Sequence, residues 1–189
     1  MKLKIQLYIL SLWLLFILLF INKVEIPYCF GENCHFIGFF ELFKINIIPT
    51  ISLLLVVFGL IFYFRFKYII SGNHKLPERI ITIENVNFEH LTFLATYLLP
   101  FLTFNLTEDR NALIFFLILI IIGMIYVKTN MFYTNPTLAL LGYHIYKVST
   151  SNRTNIIIIT KDKLESNEWV AVRLLSDNIF IAKKTTNTN

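Results

Sequence analysis

No charged side chain occurs between residues 112 and 127, a run built mainly from Leu, Ile, Phe and Val. At about 1.5 Å per residue, a helix over that run reaches roughly 24 Å, most of the roughly 30 Å hydrocarbon core of a bilayer. The character then changes at once. Lys128, Thr129 and Asn130 come first, then Asn135-Pro136, then an alternating segment from Gly142 and Tyr143 to Lys147 and Val148. This pattern reads as a membrane helix that leaves the lipid and turns into an aqueous, β-rich segment.

The rest of the chain follows from that transition. The protein is 56% hydrophobic and 15% charged, against about 45–50% and about 25% in an ordinary soluble domain. The excess lies in four blocks, 5–21, 45–64, 91–106 and 112–127, and blocks of that kind imply membrane spans rather than one large core. The expected fold class is therefore a membrane protein, mainly α. Four transmembrane helices in 1–128 would be followed by a small cytoplasmic antiparallel β module in 129–189. Residues 22–44 form the outside loop in this reading and 65–90 the cytoplasmic loop.

Lys2 and Lys4 precede the first block as they would in a secretory signal, but the apolar run is too long and no small-residue cleavage pattern follows. It reads as a retained helix. Pro49 lies near the start of the second block, where a missing N–H costs little. Tyr63, Arg65 and Lys67 form an interfacial anchor at its end. Pro100 lies inside the third block and predicts a kink near Thr96. The third and fourth blocks are short, so snorkelling by Arg110 and Lys128 is expected to bridge the shortfall.

Four strands are expected in the tail, over 142–149, 155–160, 169–175 and 178–183, separated by turn-forming residues. A further short strand is expected over 80–86. A small sheet or partly open barrel results. It is near the lower size limit for a freestanding core, so it should lean on the helices, on other copies or on a partner.

Of the 17 Lys and Arg residues, only Lys23, Lys44 and Arg110 fall in the connections opposite the N-terminus, the 65–90 loop and the tail. The positive-inside rule then puts both termini of the multi-pass chain in the cytoplasm, and the expected location is a bacterial inner membrane. Cys29 and Cys34 share the outside loop. A disulfide between them is the favoured reading, with two unpaired interfacial cysteines as the alternative. Cys34-His35 does not match the C-x-x-C-H haem pattern, and no zinc set is evident. No metal and no cofactor are expected.

Catalytic motifs are missing from the sequence, and no enzymatic function is expected. His35, His74, His90 and His144 are scattered. Glu89-His90 is the one adjacent acid–imidazole pair, and a preference for negative charge at a helix start accounts for Glu89. None of the four blocks holds an ionisable side chain other than tyrosine, which argues against ion-coupled transport but leaves a hydrophobic pore open. Ser52, Gly59 and Gly123 form no recognisable helix-packing motif. The net charge of +5 is explained by topology, or by a basic inner face that meets anionic lipid. Asp162, Glu165, Glu168 and Asp177 interrupt the basic tail, so direct nucleic-acid binding is not expected. Trp169 and Arg173 are candidates for a partner interface. Alternatively, Trp169 fills the module's own core.

The run from Tyr133 through Asn135-Pro136, Gly142-Tyr143, Tyr146, Lys147 and Val148, preceded by the segment with Tyr97 and Pro100, resembles the KwaA family, the membrane component of the Kiwa anti-phage defence system. The likeness extends over nearly the whole chain in layout. It implies a homo-oligomeric inner-membrane protein that senses disturbance of the envelope during phage attack. It also implies a cytosolic DNA-binding partner of the KwaB type. The alternative is a small pore-forming or channel-type effector.

Overall fold

The computed structural model describes residues 2–25, 37–72, 77–106 and 108–185. Cys29 and Cys34, and with them the disulfide expectation, lie outside the described residues. The elements run in the order α1 (Lys2–Ser11), α2 (Trp13–Lys23), α3 (Phe39–Ile45), α4 (Ile47–Ile70), β1 (Pro77–Asn85), α5 (Phe88–Thr103) and α6 (Asp109–Lys128). A 3-10 turn (Met131–Thr134) and a short α7 (Pro136–Leu140) then lead into β2 (His144–Thr150), β3 (Ile156–Thr160), β4 (Trp169–Ser176) and β5 (Ile179–Lys184).

The expected four transmembrane helices are corrected by these lengths. Among the described residues, α4 and α6 are the helices long and apolar enough to cross a membrane, and α1 with α2 adds a third only if the pair counts as one span despite a 45° bend. The block at 91–106 does not become a span. Its helix begins earlier, at Phe88, takes in Glu89 and His90, and stops at Thr103 after 16 residues. Pro100 falls in its last turn, three residues before the end.

The β module is also different from the expected one. It is a closed barrel in the order β1-β2-β3-β5-β4 rather than the small antiparallel sheet or partly open barrel expected after the helices. Its first strand comes from between α4 and α5. β1 closes the barrel by pairing with both β2 and β4. The β3–β5 pair is parallel, with Ile157, Ile158 and Ile159 opposite Ile179, Phe180 and Ile181.

The uninterrupted isoleucines of β3 have a simple cause. Ile156 and Ile158 point into the barrel with Ile80, Val148, Val170, Val172 and Phe180. Ile159 and the half-buried Ile157 point the other way and join the helices, alongside Phe66, Leu138 and Tyr143. A strand covered on both faces has no polar side to alternate with. An ion pair lies in the barrel wall, with Glu78 buried and Arg153 partly exposed. Glu78 accepts from Arg153 at 2.5 Å and from the Thr150 hydroxyl at 2.7 Å, and the Arg153 guanidinium lies 4.7 Å from the Phe180 ring centre.

Two glycines that form no sequence motif set the helix packing. Gly59 of α4 faces the Trp13 ring, whose Nε1–H donates to the Val56 carbonyl at 3.0 Å. Gly123 of α6 faces the Tyr8 ring, whose hydroxyl donates to the Leu119 carbonyl. Each ring thus lies on bare backbone and places its polar atom on a helix carbonyl nearby, an arrangement that needs no water. A methyl carbon at Gly59 would sit 2.7 Å from Cδ1 of Trp13. Gly59→Leu should therefore lower stability by about 1–3 kcal/mol, read as a drop in melting temperature in detergent. Adding Trp13→Ala should recover part of the loss. A Gly59→Leu chain that melts like the parent would contradict this contact.

Candidate functional site

The site is the junction where the broken first helix, the start of α5, the 3-10 turn with α7, and the barrel meet. It is built around backbone carbonyls beside the bend at Leu12. Ser11 Oγ donates to Tyr8 O at 2.6 Å, Asn135 Nδ2 to Leu7 O at 3.0 Å, Thr137 Oγ1 to Leu10 O at 2.7 Å, and Tyr97 Oη to Ser11 O at 3.3 Å. Ser11, Tyr97, Asn135 and Thr137 are all buried. Side chains inserted into the carbonyl ladder are a known cause of helix bending without proline.

Asn135 acts twice. Its Oδ1 accepts from the backbone N–H of Thr137 and Leu138, which makes it the N-cap of α7, and Pro136 follows at the first helical position. That is the standard start of a short helix. The capping signature of Asn135-Pro136 was visible in the sequence, whereas the reach of Asn135 to Leu7 was not. Tyr126 Oη donates to the Phe132 carbonyl at 3.1 Å and fastens α6 to the 3-10 turn.

Further ties join barrel to helices. Asn87 Oδ1 accepts from the Ile145 N–H at 2.7 Å, and Asn87 Nδ2 lies 3.3 Å from His144 Nδ1. Lys4 at the start of α1 reaches Asn130 Oδ1 and Asp177, the latter at 3.5 Å. Arg173 Nη1 donates to the carbonyl of Ile69 at 2.7 Å and so caps the C-terminal end of α4. Trp169 lies outside the barrel core and is 45% exposed.

Glu89 and His90 occupy the first turn of α5. His90 is 3% exposed, and neither ring nitrogen has a hydrogen-bond partner in good geometry among the described residues. Glu89 Oε2 is equally shielded and unpaired, while the Glu89 carboxylate pushes the Tyr133 hydroxyl, already raised by burial, up to about 12. Burial holds the His90 imidazole below its ordinary value, and His144 adds to this. The backbone of Thr134 and Asn135 opposes it. Unpaired buried polar atoms are uncommon in folded proteins, and here three fall on adjacent residues. Among the described residues, no group of three or more His, Cys, Asp or Glu is placed to hold a metal ion.

The architecture defines a class: a bundle with membrane-type helices, joined through a polar junction to a small closed barrel. Comparison with known proteins makes this specific. Residues 3–181 match the family of anti-phage protein KwaA. The chain is 36% identical over 186 residues to the Kiwa protein KwaA of Escherichia coli O55:H7 (strain RM12579 / EPEC), covering 96% of this chain and 95% of that protein. This chain belongs to the KwaA family of anti-phage proteins. No solved structure matches it.

Two outcomes test the junction. Asn135→Ala removes both a cap and the partner of a buried carbonyl, and should cost about 2–4 kcal/mol by thermal unfolding in detergent. His90 should make stability depend on pH. Its native value is depressed from 6.5, so the unfolded chain binds the proton first. The stabilisation is complete above about 6.5 and is lost as pH falls toward the depressed native value. His90→Leu should flatten the melting-temperature profile in that range. An unchanged slope would show that other groups carry it.

Proposed function

We propose that this chain is the membrane component of a two-part anti-phage defence. Its helices lie in the inner membrane with both termini cytoplasmic. They respond to disturbance of the envelope during phage attack and pass that change to the barrel, which engages a cytosolic DNA-binding partner of the KwaB type. The exposed apolar faces of α4 and α6, with Ile51, Leu54 and Phe58 on one and Leu113, Leu117 and Ile120 on the other, suit contact with lipid and with further copies of the chain.

The observation that carries this reading is the junction. A bent helix whose carbonyls are held by Tyr97, Asn135 and Thr137 is an element with an alternative, straight arrangement. The groups that hold it lead directly into β2 through α7. Transmission between distant regions needs such a two-state element, one that both regions can bias. On the barrel, Arg173 is occupied by α4, so the partner face centres on Trp169. It is flanked by Arg79, its register neighbour, and by the Glu168–Lys184 ion pair.

The test is a plaque assay with and without the neighbouring gene, run beside a membrane-potential dye. Protection should need both genes. Trp169→Glu should cut partner co-sedimentation with membranes at least tenfold, the scale of an interface hot spot, while leaving this chain in the membrane. Undiminished recovery of the partner would remove Trp169 from the interface. Depolarisation in cells lacking the partner would favour a pore instead.

A further inference from the structure

The parallel β3–β5 register has a consequence beyond the barrel. Ile157, Ile158 and Ile159 lie opposite Ile179, Phe180 and Ile181. Carried two residues on, the same register sets Lys161 beside Lys183. The antiparallel β2–β3 register, with His144 opposite Thr160, sets Tyr143 on the other side of Lys161. Tyr143, Lys161 and Lys183 therefore form one row across three strands. It continues the helix-facing rows that hold Ile157, Ile159 and Ile179. Where the isoleucines end, the lysines begin.

That row lines a cavity of about 350 Å³ closed on its other side by Ile70 and Ser71, the end of α4. The Lys161 ammonium lies 4.8 Å from the centre of the Tyr143 ring. Tyr143 is itself buried against Phe66 of α4, ring to ring at 5.9 Å. Neither lysine pairs with a carboxylate among the described residues. Asp162 also lines the cavity; one of its oxygens accepts the Lys184 backbone N–H at 2.8 Å, and it pairs with neither Lys161 nor Lys183. The end of α4 does not require them, because Arg173 caps it. Two free ammonium groups thus face a half-apolar cavity, just beyond the turn where Tyr63, Arg65 and Lys67 mark the edge of the lipid.

We infer that this cavity binds the phosphate headgroup of an anionic phospholipid from the leaflet next to the barrel, with Lys161 and Lys183 on the phosphate and the Tyr143 and Ile70 side toward the glycerol. The inference rests on the reading that α4 and α6 lie in a bilayer. It gives the barrel a direct hold on that bilayer's composition.

The test uses the full chain in nanodiscs of phosphatidylcholine, alone or mixed with phosphatidylglycerol. Phosphatidylglycerol should raise the melting temperature and remain bound in native mass spectrometry. Lys161→Gln with Lys183→Gln should weaken its retention by roughly tenfold or more, at about one near-surface charge contact per lysine. The melting temperature in phosphatidylcholine alone should not change. Removing two other exposed lysines, Lys147 and Lys163, should leave retention intact, and an equal loss there would overturn the site in favour of general surface charge. Inorganic phosphate that reproduces the stabilisation would overturn the lipid assignment. Retention unaffected by the double substitution, or a double variant destabilised equally in both lipids, would also overturn it. A chain soluble without detergent would instead overturn the membrane reading beneath it.

Discussion

Everything in this structure depends on how a few backbone carbonyls of the first helix are satisfied. A helix normally satisfies its backbone groups within itself. This one bends by 45° at Leu12, and hydroxyl and amide groups from Ser11, Tyr97, Asn135 and Thr137 reach the carbonyls around the bend. Each of those side chains belongs to a different packing problem: Tyr97 to α5, Asn135 to the start of α7, Thr137 to its first turn. The bend forces these problems to be solved together. A polar group left unpaired in such a place costs more than a neutral hydrogen bond contributes, so the junction is held by the cost of opening it.

The same logic explains the aromatic rings. Trp13 and Tyr8 lie over Gly59 and Gly123 and donate to carbonyls of α4 and α6. Close backbone approach and directed hydrogen bonds give these contacts their specificity. The barrel is held by ordinary means, an apolar interior and an ion pair between the buried Glu78 and the partly exposed Arg153.

What could be read in the sequence was what is local. The blocks behind α4 and α6 were plain because hydropathy is a property of adjacent residues. The four tail strands were plain because β-branched runs lay between turn residues. The bend at Leu12 was hidden, since its causes lie at positions 97, 135 and 137. The block at 91–106 misled because its composition suits lipid, whereas Asn87 is tied to Ile145 and fixes where α5 begins. The strand at β1 looked weak alone because its partners, Thr150 and Ala171, are far along the chain. The Glu89-His90 pair was visible, but the burial of His90 was not. Trp169 and Arg173 shared one expectation, and the fold separates them: one faces out, the other caps a helix.

The insertion of β1 between α4 and α5 has an outcome for how the protein comes to exist. A ribosome delivers β1 before α5, α6 and α7 and long before its neighbours β2 and β4. The barrel can shut only after α5 and α6 have been made, because β2 and β4 follow them in the chain. Closure of the barrel is thus a receipt for a completed bundle. Any chain stalled earlier presents an unpaired strand edge, the kind of edge that quality-control proteases and chaperones recognise.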